Sequence, residues 1–220
     1  MNLASKIDHT LLKPEATLEQ IQKLCLEART HQFYGVCVNS SWIKTVLGEL
    51  AGSPVQAVAV VGFPLGAMAT KAKAFEAAWC AEQGAHEIDM VLSVGALKDK
   101  NYSQVQTDIA DVVRASQKAT VKVILETGLL TTDEKRIACE LAVQAGALYV
   151  KTCTGFNVGA ATVEDIRLMR ETVGPEIGVK ASGGIKTPSL AIALIEAGAT
   201  RLGTSSGVAL VQGQASTGGY

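Results

Sequence analysis

A (β/α)8 barrel, a single α/β domain, is the fold this sequence predicts, and three observations predict it. Short apolar runs, mostly β-branched, recur along the chain, amphipathic segments with helix-start signals lie between them, and one helix-ending glycine motif appears three times. The length of 220 residues suits one large core. Single α/β barrels run to about 200–250 residues. An open doubly wound sheet is the alternative fold, but no G-x-G-x-x-G follows an early strand.

The runs are justified in order. Ile7-Asp8-His9-Thr10 reads as a very short first strand, with an extra N-terminal helical segment and a helix starting near Pro14. The other seven are Phe33 to Val38, Val55 to Val61, Glu87 to Leu92, Val121 to Glu126, Leu148 to Thr152, Ile177 to Ala181 and Arg201 to Thr204. Thr131-Thr132-Asp133-Glu134 and Thr162-Val163-Glu164-Asp165 resemble capping boxes, and Thr187-Pro188 reads as an N-cap with proline at the first helical position. The stripe Phe75, Ala78, Trp79, Glu82 reads as helix packing. Gln83-Gly84-Ala85, Ala145-Gly146-Ala147 and Ala197-Gly198-Ala199 each stop a helix with a glycine before a strand. Five residues beyond these glycines stand Asp89, Lys151 and Gly203. A common register puts all three near the C-terminal mouth, the face on which barrel enzymes build their sites. The chain is one domain from 1 to 220, with 212–220 (glycines and small polar residues ending in Tyr220) expected to be a flexible tail.

Composition excludes several classes of partner. The net charge is -1, 19% of residues are charged, and no Lys/Arg cluster offers a surface for nucleic acid or an anionic membrane. No run approaches the length of strongly apolar sequence that a membrane span needs, and the N-terminus lacks a signal peptide's apolar stretch. Five scattered cysteines (Cys25, Cys37, Cys80, Cys139, Cys153) without a CxxC pair fit a reducing cytoplasm, with neither disulfide framework nor structural zinc. The three histidines do not cluster: His31 and His86 are expected at the barrel bottom and only His9 lies near the first strand. A metal centre is therefore not expected.

Lys151 and Lys180 each close an apolar run and open a turn of small residues, Thr152-Cys153-Thr154-Gly155 and Ala181-Ser182-Gly183-Gly184. Burial penalises an ammonium, and a neutral amine is a nucleophile, so the pair suggests Schiff-base chemistry on a carbonyl. Asp89 is a third charge inside an apolar strand, placed to move protons beside the amine. Glu126 could share the mouth, and Lys122 reads as a supporting ion-pair partner. Cys153 reads as a small packing residue. Ser182-Gly183-Gly184-Ile185 and Gly203-Thr204-Ser205-Ser206-Gly207 follow the last two strands, where barrels often hold phosphate through backbone N–H groups.

With these residues in view, the chain resembles the deoxyribose-phosphate aldolases, class I aldolases of 2-deoxyribose 5-phosphate. The likeness runs from Ile7-Asp8-His9-Thr10-Leu11-Leu12-Lys13-Pro14 to Tyr220 and includes Val60-Val61-Gly62-Phe63-Pro64-Leu65-Gly66, Glu87-Ile88-Asp89-Met90-Val91, Val150-Lys151-Thr152, Val179-Lys180-Ala181 and Leu202-Gly203-Thr204-Ser205-Ser206. The resemblance implies that Lys151 forms the Schiff base, Lys180 stays charged and favours its neutral amine, and Asp89 relays protons through a bound water. It maps phosphate contacts onto Gly155, Gly183, Gly184, Gly203, Ser205 and Ser206, and gives the terminal Tyr220 a part in proton transfer. Two departures are visible: Cys153 stands for the usual serine, and Phe156 stands where some members carry lysine, leaving Lys186 as the nearby cation for phosphate.

The implied reaction is reversible cleavage of 2-deoxy-D-ribose 5-phosphate to D-glyceraldehyde 3-phosphate and acetaldehyde, with the iminium as electron sink and no cofactor. The expected partner is a small phosphorylated aldose, the expected assembly a homo-oligomer (dimer or tetramer), and the expected location cytoplasmic. Two rival readings remain: a Schiff-base aldolase acting on another sugar phosphate, and a non-catalytic sugar-phosphate-binding barrel. The second has no use for Lys151, Lys180 and Asp89 at one depth.

Overall fold

The computed structural model describes residues 2–216, in which eight parallel strands close into a barrel in chain order, the last pairing with the first. They are β1 (Ile7–Leu11), β2 (Gly35–Asn39), β3 (Gln56–Val61), β4 (Glu87–Val91), β5 (Thr120–Ile124), β6 (Tyr149–Lys151), β7 (Gly178–Ser182) and β8 (Arg201–Thr204). Around them lie α1 (Leu18–His31), α2 (Ile43–Glu49), α3 (Thr70–Gln83), α4 (Val94–Lys98), α5 (Tyr102–Ala115), α6 (Thr132–Gln144), α7 (Val163–Val173), α8 (Pro188–Glu196) and α9 (Gly207–Val211). This is the (β/α)8 barrel expected from the eight runs, and the open sheet is excluded by the β1–β8 pairing.

Local chemistry sets the helix ends. Thr131 accepts the Glu134 N–H while Glu134 accepts the Thr131 N–H, and Thr162 and Thr187 cap α7 and α8 from their side chains. The first helix starts at Leu18 rather than near Pro14, because Thr17 and Gln20 form a reciprocal capping box there. The helical segment before β1 is one 3-10 turn, Ala4–Lys6. The strand expected to reach Glu126 stops at Ile124, and Glu126 turns into the left-handed region at φ 59. On α3 the buried positions are Lys73, Ala77 and Cys80, whereas Phe75 is 75% exposed. The packing stripe therefore holds at Trp79, which packs partly buried on the core, and fails at Phe75 and Glu82, which are exposed; Lys73 is accepted among the buried positions because it pairs with Asp108.

Strand alternation sorts the core into two layers. Outward side chains such as Val36, Ala59, Ile88, Met90, Val123, Val150, Val179 and Leu202 pack with the helices in one continuous apolar shell. The barrel interior holds only a small apolar group, Leu12, Cys37, Val58 and Val60 with Phe63 against it. Beside it stands an ionic cluster of Asp8, Glu87, Asp89, Lys122, Lys151, Lys180 and Arg201. Of the expected tail, residues 212–216 are tied back: Gln214 N–H donates to Ala209 O and Ser216 N–H to Lys186 O. Residues 217–220, Tyr220 among them, lie outside the described residues.

Candidate active site

Every second residue of a strand faces inward, so one charge per inward position builds a ladder across the barrel. Asp89 on β4 pairs in register with Lys122 on β5, and Lys151 on β6 with Lys180 on β7. The tilt of a closed barrel then brings all four side chains together. The Asp89 carboxylate accepts from Lys122 Nζ at 2.8 Å on Oδ1, and from Lys151 Nζ and Lys180 Nζ, each at 2.8 Å, on Oδ2. Lys122 also pairs with Glu87, one inward position below Asp89. All of these groups are buried, Lys151 being 3% exposed and Asp89, Lys122 and Lys180 not exposed at all.

Three members of the cluster, Asp8, Glu87 and Arg201, were not singled out from the sequence. Asp8 on β1 accepts from Lys180 Nζ and from Arg201 Nη1, and Arg201 reaches on to Glu87 at 3.0 Å. Arg201 also lies flat on the Tyr34 ring, 3.2 Å from its centroid. A signal for Asp8 and Arg201 existed: both are charges inside apolar strands, as Asp89 is.

Burial works against charge throughout, and the counter-charges prevail. Burial raises the Asp89 carboxyl, but Lys122, Lys151 and Lys180 outweigh it and hold it well below the usual carboxylate range. Burial lowers the Lys180 ammonium, but Asp8 and Asp89 bring it well above the ordinary lysine value. Lys122 is raised in the same way, with Asp89 the leading opponent of burial.

The candidate phosphate residues divide into two groups. Gly184, Lys186, Gly203, Ser205 and Ser206 line one small cleft between the β7 and β8 loops, with Lys186 and Ser205 exposed. Thr204 Oγ1 donates to Ile185 O and accepts the Ser206 N–H, which fixes the two loops to each other. A Cβ on Gly203 would sit 3.0 Å from Lys180 Cε, so the cleft's floor adjoins the lysine cluster. Gly155 and Gly183 do not line the cleft: Gly183 packs beneath it on Cys153 and Ala160, and Gly155 lies in the β6 loop at φ 84. Cys153 is buried and burial pushes its thiol up, which suits packing rather than attack. Glu126 takes no part in the lysine cluster; its carboxylate accepts from Thr154 and Asn157.

The histidines are apart. His9 Nε2 is 2.7 Å from Glu27, His31 ends α1 against Phe33, and the exposed His86 accepts the Ala57 N–H. Among the described residues there is no group of three His, Cys, Asp or Glu side chains arranged to hold a metal, and no helix is long and apolar enough to cross a membrane. Two cavities of about 420 Å³ are larger than the cleft of the candidate phosphate residues. One lies at the N-terminal end of the barrel, by Tyr34, Glu87 and Tyr149. The other lies at the mouth, walled by Leu12, Trp42, Phe63 and Phe156.

Taken together, the arrangement offers an amine at the mouth end of β6, an anionic carboxylate beside it, and a cleft for an anion across the opening. That is what a carbonyl-activating lysine needs to act on a phosphorylated aldehyde. Comparison with known proteins leads to the same place. The family model described as DeoC/LacD family aldolase matches residues 3–213. A deoxyribose-phosphate aldolase of Brevibacillus brevis is 58% identical over the full length of both chains, and one of Bdellovibrio bacteriovorus 54% identical over the full length of both. Among solved structures, the deoxyribose phosphate aldolase of Aeropyrum pernix, described as having a unique tetrameric structure, superposes with a TM-score of 0.88 at 33% identity, covering 96% of this chain and 89% of that one. An aldolase called QR15 gives 0.91 at 37% identity, covering 96% and 94%.

Proposed function

The chain belongs to the DeoC/LacD family of aldolases, and from that premise we propose that it cleaves 2-deoxy-D-ribose 5-phosphate to D-glyceraldehyde 3-phosphate and acetaldehyde through a Schiff base on Lys151. The observation that carries the reading is the charge count of the connected ionic cluster around Asp89. Asp8, Glu87 and Asp89 are three buried carboxylates, and Lys122, Lys151, Lys180 and Arg201 are four buried cations in contact with them. A low-dielectric interior disfavours the surplus charge, and one neutral lysine removes it. Arginine cannot be that group. Lys122 and Lys180 each contact two carboxylates, whereas Lys151 contacts Asp89 alone and stands at the mouth end of its strand.

In this reading the neutral Lys151 amine adds to the C1 aldehyde, and a proton taken up from solvent lets water leave, giving an iminium. A water held by Asp89 takes the C3 hydroxyl proton, the C2–C3 bond breaks, and its electron pair moves into the iminium. D-glyceraldehyde 3-phosphate departs; protonation of the enamine at C2 and hydrolysis then release acetaldehyde. The phosphate rests in the cleft of Gly184, Gly203, Ser205 and Ser206, with Lys186 at its rim and Gly155 and Gly183 in support. Tyr220 serves the C2 proton transfer, and Tyr220→Phe should slow deuterium exchange at acetaldehyde C2 by about 10²-fold or more while Schiff-base formation continues. Wild-type exchange rates in that variant would remove Tyr220 from the mechanism. The same reading places the enzyme in the cytoplasm as a homo-oligomer, in keeping with five unpaired buried thiols among the described residues.

The deciding experiment is borohydride reduction in the presence of acetaldehyde, followed by peptide mass spectrometry. An adduct on Lys151, absent in Lys151→Arg together with all turnover, is the expected result. An adduct confined to Lys180 would refute the assignment.

A further inference from the structure

Glu126 is the one buried carboxylate at the mouth that no cation contacts among the described residues, and it is held in a backbone conformation that costs a non-glycine residue energy. All its side-chain hydrogen bonds go to one segment, the loop after β6. Oε1 accepts the Thr154 N–H at 3.2 Å, and Oε2 accepts the Thr154 hydroxyl and Asn157 Nδ2, the latter at 2.9 Å. Thr154 Oγ1 in turn accepts the Phe156 N–H, so the carboxylate organises residues 154–157 as a unit. Three donors satisfying a buried anion make a strong, directional clamp.

That loop is the outer wall of the Gly183–Gly184 turn. Ala161 N–H donates to Gly183 O, and Ser182 Oγ donates to Cys153 O at 2.6 Å. A Cβ on Gly184 would lie 2.8 Å from Ala160 Cβ, which shows how closely the wall stands behind the turn. Glu126 thus bonds to Thr154 and Asn157 of the same loop whose Cys153, Ala160 and Ala161 meet Ser182, Gly183 and Gly184. Its side chain makes no hydrogen bond to the lysine cluster, while the flanking Leu125 and Thr127 N–H groups hold the β6 backbone at Lys151 O and Thr152 O.

We propose that Glu126 is a positioning residue for the phosphate end of the substrate: its carboxylate locks the β6 loop behind Gly183 and Gly184, and thereby sets affinity for a phosphorylated sugar without altering the amine chemistry. The proposal rests on the aldolase reading and on the placement of phosphate between the β7 and β8 loops. Glutamine at 126 keeps the shape but turns an NH2 group towards donors that need an acceptor.

The test is steady-state kinetics of Glu126→Gln and Asn157→Ala on 2-deoxyribose 5-phosphate and on unphosphorylated 2-deoxyribose. Asn157→Ala removes one donor from the far side of the clamp and leaves β5 intact, so it carries the test if Glu126→Gln folds poorly. Loss of a charge-assisted hydrogen bond should raise KM for the phosphorylated sugar about ten-fold. Neither kcat nor kcat/KM on the unphosphorylated sugar should change. An equal loss on both substrates, or no rise in KM on either, would overturn the proposal. Borohydride trapping of the wild type is run in parallel: without an adduct at Lys151 the aldolase reading itself fails and the proposal falls with it. An adduct at Lys151 with unchanged KM in both variants rejects the positioning role alone.

Discussion

Asp8 shows how much one buried residue can decide. It accepts from Lys180 and Arg201 and joins the ends of the chain across 172 and 193 positions of sequence. Removing one partner from a buried ionic group leaves uncompensated charge, a loss of about 3–5 kcal/mol. Asp8→Asn should therefore lower the urea midpoint markedly at neutral pH, with an unchanged slope; a shift of a few tenths of a kcal/mol would mean that solvent reaches Lys180. Ser205 makes the complementary case at the surface. It is exposed on the rim of the proposed phosphate cleft, so Ser205→Asp should leave stability alone and raise KM for the phosphorylated sugar through charge repulsion. Unphosphorylated 2-deoxyribose should be affected far less, and equal losses on both would misplace the cleft.

At the scale of elements, the strands carry the charged cluster at fixed depth and the loops after β7 and β8 form the cleft above it. Strand existence was legible in the apolar runs, and helix starts were legible wherever a side chain caps them, as at Thr131, Thr162 and Thr187. Boundaries set by contacts were less so: nothing local marks Ile124 as the end of β5, which Glu126 decides by turning to the β6 loop. The β3 loop gives a further check. Gly66 has φ 65, and a Cβ there would come within 2.2 Å of Leu92 O. Gly66→Ala combines left-handed strain with a backbone clash, so it should destabilise by more than about 1 kcal/mol. A melting temperature equal to the wild type would show that the β3 and β4 loops are free to separate.

Over the whole molecule, the ionic interior should shape the response to pH. The Asp89 carboxyl is lowered by folding, so its contribution to stability is complete above the unfolded value of about 3.9 and is lost as pH falls through the lower folded value. Lys180 is raised, so its contribution is complete below about 10.4 and is lost as pH rises through the higher folded value. The stability difference between wild type and Asp89→Asn should thus shrink in acid, as pH falls below the unfolded value of about 3.9. Urea titrations would contradict the account if the difference stayed constant down to the lowest pH at which the protein folds.

The sequence by itself determined the barrel, the depth of Lys151, Lys180 and Asp89, and the two glycine-rich loops, because periodicity, caps and a charge in an apolar strand are local signals. Three things only the tertiary structure decided: that Asp8 and Arg201 complete the cluster, that Glu126 serves the β6 loop, and that Phe75 faces solvent. Each depends on which side chain lies opposite another once β8 pairs with β1 and the strands tilt. Partners in a buried ionic network are chosen by that closure, and spacing along the chain carries no record of it.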